Sequence, residues 1–287
     1  MKKTKIKSYC KINLYLKILK KLNSGYHKIN SLVTFCDLHD VISISKISSK
    51  KDLISFSGKF KKRINFKSNT ISKLLYLLRE KNLLKKENFK INIKKNIPHG
   101  SGLGGGSSNA ASLLNFINSR MKLKLKKNEI KKIAEKIGFD VPIGLEKKNA
   151  IITGKKGEVL RFDKKFNFNI LIAYPNIICS TKAVYLKNKI ISGSKSNFKN
   201  KINNTRKLVL FLKSQSNDLE KIVFELYPKV KNLIEFMRKQ NGCYFARITG
   251  SGSACFGIFA SMKSANQARK LIKIKFPNYW CMTSKTI

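Results

Sequence analysis

The sequence predicts an α+β protein with two lobes. Alternating stretches such as DVISISKI and DLISFSGKF have the two-residue period of half-buried strands, whereas TISKLLYLLREKNLLK carries apolar residues at helical spacing. Strands and helices are interspersed without an internal repeat, and 287 residues that are 42% hydrophobic are enough to build two cores. We expect an N-terminal lobe over residues 1–160 and a C-terminal lobe over residues 161–287.

The N-terminal half contains both strand and helix patterns. Alternation predicts strands over residues 6–16, 40–47, 52–60 and 89–95. Apolar spacing predicts helices over residues 70–85, 108–121 and 128–139. Thr70 and Asn128 stand at the starts of two of these helices, and we expect their side chains to cap them.

The C-terminal half begins with a hairpin pattern. The hairpin is predicted over residues 149–162, a strand over 168–175, and helices over 218–238, with a break at Pro228, and over 264–276. Between the two helices, YFARITGSGSACFGIFA predicts a strand, a glycine turn, and then a second strand or a helix start. Residues 188–205 are rich in lysine, serine and asparagine, which predicts an exposed or mobile segment.

The net charge of +46 has two interpretations. A strongly basic protein can be a nucleic-acid binder. Here the lysines run through every segment instead of clustering on one face, and they accompany abundant Asn, Ile and Phe. That distribution favours a solvated surface that follows a genome-wide bias towards AT-rich codons. In both cases the charge attracts anionic substrates.

Nothing in the sequence predicts a membrane-spanning segment, a zinc site or a set of disulfide bonds. No run approaches the roughly 20 apolar residues of a membrane span. The apolar part of the basic N-terminus, INLYLKIL, is short and interrupted by Lys17, so it does not fit a secretory signal, and we expect a cytoplasmic protein. The six cysteines form no CxxC pair and the three histidines are dispersed, so we expect neither disulfides nor a zinc site.

The loop IPHGSGLGGGSSNAASLL is the strongest functional signal. It is not a P-loop, because Gly106 occupies the position of the required lysine. The dinucleotide pattern GxGxxG matches at Gly100, Gly102 and Gly105. However, Pro98 interrupts the junction with the preceding strand, and no acidic residue clearly marks a ribose site. A protein-kinase glycine loop would be accompanied by HRD and DFG, which the chain lacks.

The loop leads directly into a helix pattern. Glycine lets backbone N–H groups approach an anion without a Cβ in the way, and the helix start adds unsatisfied N–H groups and the positive end of the dipole. Ser107, Ser108 and Asn109 add hydroxyl and amide partners. The loop therefore predicts an oligophosphate site. A flexible linker is the alternative, which the attached helix disfavours.

The pattern P-x-x-x-G-L-G-G-G-S-S-N-A-A resembles the ATP-binding motif of the GHMP kinases, the galactokinase, homoserine, mevalonate and phosphomevalonate kinase superfamily. Further stretches resemble blocks of one branch, the 4-diphosphocytidyl-2-C-methyl-D-erythritol kinases. They are CKINLYLKI with SGYHKINSLVTFCDLHDVI, then GFDVPIGL, NDLE and TGSGSACFGIF, in the same order and over nearly the whole chain. Phe139, the IGL after Pro142, and Ser253 depart from the usual pattern, which leaves the shape of the nucleotide and base pockets open.

The resemblance implies the GHMP kinase fold, with an N-terminal lobe like a ribosomal-protein domain and a ferredoxin-like C-terminal lobe. It implies ATP-dependent phosphorylation of the 2-hydroxyl of 4-diphosphocytidyl-2-C-methyl-D-erythritol in non-mevalonate isoprenoid synthesis, with Mg²⁺ as cofactor. A homoserine or mevalonate kinase is the alternative within the superfamily, and a basic RNA-binding protein is the alternative outside it. We expect a small-molecule substrate, no membrane or specific nucleic-acid partner, and a monomer or homodimer.

The resemblance also implies roles in catalysis and ATP binding. Asp140 is the implied base for the hydroxyl proton, and Lys11 is implied beside it, where it holds the carboxylate ionised. Without the resemblance, Asp140 would be an ordinary turn residue and Lys11 an edge-strand lysine. We expect Ser107 or Ser108 to contact Mg²⁺ with ATP. The implied ATP-binding residues are Pro98, Gly102, Leu103, Gly104, Gly105, Gly106, Ser107, Ser108 and Asn109.

A third set of residues is implied to bind the phosphate acceptor. Tyr26 and Tyr185 are expected to sandwich the cytosine, and His27 to form hydrogen bonds to it. Asn13 and Thr181 are further candidate ligands. The glycine turn Gly250, Ser251 and Gly252 is implied to close over the phosphates.

Overall fold

The computed structural model describes residues 2–23, 27–62, 64–65, 69–154, 157–193, 196, 198 and 204–287. These residues form helices and two β-sheets, which confirms the predicted α+β class. The chain divides into two compact units, the first formed by residues 1–11, 38–99 and 104–147, and the second by residues 12–37, 100–103 and 148–287. The predicted division into an N-terminal lobe over residues 1–160 and a C-terminal lobe over residues 161–287 stays a prediction.

Two long strands contribute residues to each unit, and two short strands belong to the first unit alone. They are β1 (Thr4–Lys21), β2 (His27–Ile47), β3 (Leu53–Ser57) and β4 (Asn88–Lys94). In the first unit, β4 pairs in parallel with β3 and antiparallel with β2, so that Ile91 lies between Ile44 and Ile54. The predicted strands are confirmed. The apolar run over residues 31–38, before Asp40, also belongs to β2.

The helices of the first unit are α1 (Thr70–Glu80), α2 (Gly105–Arg120) and α3 (Lys127–Ile137). Both predicted caps are wrong. Asn69 caps α1, because its side-chain oxygen Oδ1 accepts bonds of 3.0 Å from the backbone N–H groups of Ile71 and Ser72. In α3 the cap is Lys126, whose N–H donates to Glu129, and Asn128 already lies inside the helix.

The apolar faces of these helices and strands form one core in the first unit. Ile42, Phe89 and Ile93 from the strands and Leu78 and Leu114 from the helices are all completely buried in it. Burial of each such side chain contributes roughly 1.5–3 kcal/mol. This core fixes α2, and with it the end of the glycine loop.

The second unit holds two sets of paired strands. Its own strands are β5 (Asn149–Thr153), β6 (Glu158–Phe162), β7 (Asn169–Tyr174), β8 (Cys243–Ile248), β9 (Cys255–Phe259) and β10 (Trp280–Lys285). β5 and β6 form the predicted hairpin, and β5 also pairs with the first half of β2. The other four strands form an antiparallel sheet in the order β10-β7-β9-β8. β10 was not predicted, because its six residues, WCMTSK, alternate only weakly.

The helices of the second unit are α4 (Thr181–Lys187), α5 (Thr205–Lys213), α6 (Glu220–Leu226), α7 (Pro228–Arg238) and α8 (Met262–Lys275). The predicted break at Pro228 is confirmed, since Pro228 begins α7. α4 and α5 were not predicted. Both are short, and each depends on a side-chain cap, from Ser180 in α4 and from Asn204 in α5.

Most described residues of the lysine-rich segment 188–205 are exposed, as expected, but some of its side chains pack against the rest of the second unit. Ser192 donates a hydrogen bond of 2.6 Å to Asp218. The ring of Phe198 lies 5.6 Å from the rings of both Phe162 and Phe211. One aromatic residue among the polar ones is enough to attach this stretch to the second unit.

Three features concern only the described part of the chain. None of its helices has the length and apolar character needed to cross a bilayer. It contains no cluster of three or more His, Cys, Asp or Glu side chains able to hold a metal ion. The six cysteines are free thiols.

Candidate active site

The glycine loop ends at the N-terminus of α2, in the first unit. Gly104 precedes the helix with a φ of +71°, and no side chain among the described residues caps the helix. A Cβ at Gly104 would lie 2.8 Å from Cγ of Lys11, so the loop can pass this close only with glycine at this position. The uncapped start leaves N–H groups of the first helical turn available for an anion.

Lys11 and Asp140 form an ion pair in the same unit. The Nζ of Lys11 lies 3.5 Å from Oδ2 of Asp140. The lysine side chain is 6% exposed, whereas that of Asp140 is 37% exposed. Lys11 is thus a buried cation in β1 beside Gly104, and its partner carboxylate reaches solvent. This combination can accept a proton from a bound hydroxyl group and neutralise nearby negative charge.

The position of Asp140 is fixed by a turn that packs on α2. The N–H of Val141 donates to the carbonyl of Gly138, 3.1 Å away, which closes the turn after α3. Residues Pro142–Leu145 then form a 3₁₀ turn. A Cβ at Gly144 would lie 3.0 Å from Cβ of Ala111 and 3.2 Å from Cα of Ser108, so this turn contacts the first half of α2.

The remaining predicted ATP-binding residues of the first unit differ in exposure. Ser107 is half-buried, whereas Ser108 is buried at 4% exposure. The carbonyl of Gly106 accepts a bond of 2.8 Å from the hydroxyl of Thr70, which ties the start of α1 to the helix start of α2. Pro98 is buried.

A buried carboxylate that the sequence analysis did not assign lies close to α2. Asp40 is completely buried and accepts hydrogen bonds from the N–H groups of Asn96 and Ile97 and from Nδ2 of Asn109, at 2.7, 2.9 and 3.0 Å. The ammonium of Lys95, also buried, pairs with the same carboxylate. The amide nitrogen of Asn109 therefore has an acceptor within the protein.

In the second unit, residues 100–103 of the glycine loop contact the second glycine turn, residues 249–254. The N–H of Ala254 donates to the carbonyl of Ser101 at 3.0 Å. Gly102 has a φ of +80°, and a Cβ there would lie 2.2 Å from the carbonyl oxygen of Thr249. Leu103, the next residue, is completely buried. The two glycine-containing segments thus fit each other only because Gly102 has no side chain.

Asn217 stabilises the second glycine turn from within the unit. Its Nδ2 donates to the carbonyls of Gly250 and Ile248, at 2.8 and 3.2 Å, and its Oδ1 accepts from the N–H of Leu219 at 3.0 Å. Asn217 begins the NDLE stretch that the sequence analysis quoted without giving it a role. The NDLE block therefore pointed to a residue that supports the second glycine turn.

Asn13, a predicted substrate ligand, already has partners in the second unit. It is 3% exposed, its Nδ2 donates to the hydroxyl of Ser31 at 2.9 Å, and its N–H donates to the hydroxyl of Thr249 at 3.0 Å. Its Oδ1 lies 3.4 Å from the same Thr249 hydroxyl. These bonds make Asn13 a support of the second glycine turn, and its role as a ligand stays a prediction.

The predicted acceptor-binding residues form two contacts in the second unit. The rings of His27 and Tyr185 are 5.2 Å apart and inclined by 40°. The hydroxyls of Thr181 and Ser251 lie 2.9 Å apart, so the first residue of α4 is hydrogen-bonded to the second glycine turn. Thr181 and Tyr185 are separated by one helical turn and share a face of α4. Tyr26 lies outside the described residues.

The pKa of His27 is lowered from its usual value. Burial disfavours the charged imidazolium, and the nearby ammonium of Lys21 acts in the same direction. At neutral pH His27 is therefore an uncharged imidazole, with one donor and one acceptor nitrogen. That form suits recognition of a neutral base edge.

Two family models match the chain. The model described as "GHMP kinases N terminal domain" matches residues 69–147, which include the glycine loop and Asp140. The model described as "GHMP kinases C terminal" matches residues 198–278, which include the second glycine turn. Together they cover more than half of the chain.

Curated relatives resemble the chain over all or nearly all of its length. A protein of Pelagibacter ubique named 4-diphosphocytidyl-2-C-methyl-D-erythritol kinase is 44% identical over all of both chains. A protein of the same name from Caldicellulosiruptor saccharolyticus is 33% identical over 94% of this chain and 92% of its own. Another from Anaplasma phagocytophilum is 31% identical over 100% of this chain and 96% of its own.

Solved structures share the fold. A 4-(cytidine 5'-diphospho)-2C-methyl-D-erythritol kinase superposes with a TM-score of 0.76 at 22% identity, over 98% of this chain and 99% of its own. A homoserine kinase from Cytophaga hutchinsonii gives a TM-score of 0.69 at 16% identity, over 100% of this chain and 95% of its own. At these identities the likeness shows the fold alone.

Proposed function

Because this chain belongs to the family of 4-diphosphocytidyl-2-C-methyl-D-erythritol kinases, we infer that it transfers the γ-phosphoryl group of ATP to the 2-hydroxyl of that cytidyl diphosphate. The products are the 2-phosphate and ADP, in isoprenoid biosynthesis. The observation that carries the chemistry is the pair of Lys11 and Asp140, 3.5 Å apart, beside the uncapped start of α2.

We assign the catalytic step to this pair. The partly exposed carboxylate of Asp140 accepts the proton of the substrate hydroxyl as its oxygen attacks the γ-phosphorus. Lys11 is buried next to Asp140 and supplies positive charge where negative charge develops. The bond from the γ-phosphorus to the bridging oxygen of ADP breaks as the new P–O bond forms, so charge and atoms balance.

We assign ATP binding to the glycine loop and the helix start that follows it. The first turn of α2 offers N–H groups and the positive end of the helix dipole to phosphate oxygens. The half-buried Ser107 can add a hydroxyl donor. Gly250, Ser251 and Gly252 are the proposed second contact with the phosphates.

The residues present fit Mg²⁺ only as a complex with ATP. The described residues offer hard oxygen donors, a serine hydroxyl at α2 and the carboxylate of Asp140, but no cluster of three acidic or histidine ligands. The phosphates and water would therefore provide most of the coordination, with Ser107 as the best protein ligand, because Ser108 is buried. Bound Mg²⁺ would neutralise phosphate charge.

We assign the cytidine end of the acceptor to the second unit. The contact of His27 with Tyr185 supplies an aromatic surface and a neutral hydrogen-bonding imidazole. Thr181, at the start of α4, is a hydroxyl donor on the same helix face as Tyr185. Tyr26, next to His27 in sequence, is proposed as a second stacking residue.

We place the reaction in the cytoplasm, where ATP is abundant.

An ADP-release assay with Mg·ATP tests the function. We expect ADP release with the cytidyl diphosphate of methylerythritol and none with homoserine or mevalonate. Release with one of the latter would indicate another GHMP kinase activity. Binding to RNA that falls steeply with salt, together with no phosphoryl transfer to any of the three, would instead favour the RNA-binding alternative.

A further inference from the structure

The buried carboxylate of Asp40 connects the two ends of the first-unit phosphate-binding segment. Its donors Lys95, Asn96 and Ile97 come directly before the glycine loop, whereas Asn109 comes one turn into α2. An ionised carboxylate has about four acceptor positions, and four donors occupy those of Asp40. The carboxylate therefore links the end of β4 to the first turn of α2.

The same residues are in direct contact with the helix start. A Cβ placed on Gly105 would lie 2.9 Å from Cγ2 of Ile97 and 3.3 Å from Nζ of Lys95. Gly105 is the first residue of α2. A change in the position of Lys95 or Ile97 would thus be transmitted to the N–H groups at the start of the helix.

We propose that Asp40 is a positioning residue for ATP, which acts through Lys95 and Asn109 to hold the first turn of α2 in the geometry that binds phosphate. Asn109 then acts through Asp40 instead of serving as a phosphate ligand, because its amide nitrogen donates to that carboxylate and the residue is only 2% exposed. The proposal rests on the proposed ATP site. Phosphate binding by fixed N–H groups needs such support, since small displacements of a pre-organised site weaken it.

The first variant is Asn109→Ala, which removes one bond and leaves no charge unpaired. Binding is measured by calorimetric titration with a non-hydrolysable ATP analogue and Mg²⁺, and steady-state rates give KM for each substrate. We expect the Kd of the analogue and the KM for ATP to rise about tenfold, of the order expected for one lost buried hydrogen bond. The KM for the cytidyl acceptor should stay within about twofold. Unchanged ATP affinity would overturn the proposal.

A double-mutant cycle with Asp40→Asn separates action through Asp40 from direct phosphate binding. If Asn109 acts through Asp40, adding Asn109→Ala to Asp40→Asn weakens ATP binding little further. Multiplied effects of the two substitutions would show that Asn109 binds phosphate by itself, and would overturn the proposal. If Asp40→Asn does not fold, Asp40→Asn with Lys95→Met replaces it, because that pair leaves no uncompensated charge.

A matched control is available in the same unit. Asp52 also accepts a backbone bond, from Phe89 at 2.8 Å, and pairs with an internal cation, Arg79, at 2.6 Å. Arg79 lies at the C-terminal end of α1, whereas Thr70, at the other end, contacts Gly106. Asp52→Asn should lower the melting temperature without changing the ATP affinity. An equal rise in the ATP Kd for Asp52→Asn would reduce Asp40 to a merely structural role.

The titration also separates this proposal from the proposed function. It measures ATP binding without phosphoryl transfer. A wild-type protein that binds the analogue but phosphorylates none of the offered acceptors would contradict the proposed function and leave the role of Asp40 testable by the same variants. A wild-type protein that does not bind the analogue would overturn both.

Discussion

At the scale of single residues, Lys11 and Asp140 differ in exposure, and the difference matches the roles proposed for them. Lys11 is buried under Gly104 and cannot reach bulk water, whereas Asp140 can. A base must meet its substrate, while a buried cation acts more strongly because little solvent screens it. The pair therefore combines an accessible proton acceptor with a fixed positive charge.

Replacement of Asp140 tests this division. Asp140→Asn should lower kcat by about 10²–10⁴-fold, the usual contribution of a positioned general base, because the amide cannot accept the hydroxyl proton. The Kd of the ATP analogue should change little. Asp163→Asn, a change at an exposed carboxylate that pairs with Lys148, is the control and should leave kcat unchanged. Full activity of Asp140→Asn would contradict the assigned role.

A second residue-scale prediction concerns His27 and pH. Burial and Lys21 lower the pKa of His27, so the folded protein binds the proton less readily than the unfolded chain. Any stability linked to the neutral imidazole is thus present above the ordinary histidine pKa of about 6.5 and is lost as pH falls through the lowered pKa. We expect the KM for the cytidyl acceptor to be constant from about pH 8 to about pH 6.5 and to rise below.

The control for this prediction is His27→Gln. Glutamine keeps a donor and an acceptor but does not titrate in this range. Its KM for the acceptor should therefore not rise on acidification. A rise of equal size in His27→Gln would assign the pH dependence to another group.

At the scale of elements, the start of α1 matters because it contacts the start of α2, at the proposed ATP site. Asn69 caps α1, and the next residue, Thr70, is hydrogen-bonded to Gly106. The cap therefore stabilises both a core helix and a residue that contacts the phosphate loop. The sequence pattern predicted Thr70 as the cap, one position after the true cap, Asn69. Thr70 is therefore left to bond to Gly106.

Two asparagine variants compare the true cap with the predicted one. Asn69→Ala should lower the free energy of unfolding by about 1 kcal/mol, the usual value of a lost N-cap, because two N–H groups lose their acceptor. Asn128→Ala should change it by less than about 0.5 kcal/mol, since Asn128 is exposed within α3. Chemical denaturation followed by circular dichroism measures both. Equal losses would contradict the assignment of the cap.

At the scale of the whole molecule, the net charge of +46 acts on every anionic ligand. Both substrates are anions, and attraction at a distance raises the rate of encounter more than it raises the strength of binding at close range. The lysines run through every segment of the sequence. The charge thus favours association in general, while specificity comes from the sites described above.

Salt dependence tests this role of the charge. Between about 0.05 M and about 0.5 M salt, where screening shortens from beyond 10 Å to a few Å, kcat/KM for both substrates should fall. The value of kcat at saturating substrate should change much less, since the reacting groups are then in contact, at separations shorter than the screening length. Glycine at equal osmolality, a zwitterion that adds little viscosity and no ionic strength, is the control and should leave kcat/KM nearly unchanged. A salt-independent kcat/KM would remove any functional role for the charge.

The sequence by itself determined the fold class and, through the family resemblance, the family, and it predicts the phosphate-binding character of the loop and the roles of Lys11 and Asp140. These follow from local rules: residue periodicity, glycine at a helix start, and motifs in a fixed order. Strands with strong alternation and helices with clear apolar faces were predictable for the same reason. The short α4 and α5 and the strand β10 were not, because the two helices have only seven and nine residues and β10 alternates weakly.

Only the tertiary structure decided which polar side chains support the site from within. Asp40 and Asn109 are 69 residues apart, and Asn217 contacts Gly250 from 33 residues away. No local pattern records such bonds, because each buried donor or acceptor must find its partner wherever the fold brings one. The physical reason is that residue periodicity is a property of neighbours in sequence, whereas hydrogen bonding of buried groups is a property of neighbours in space.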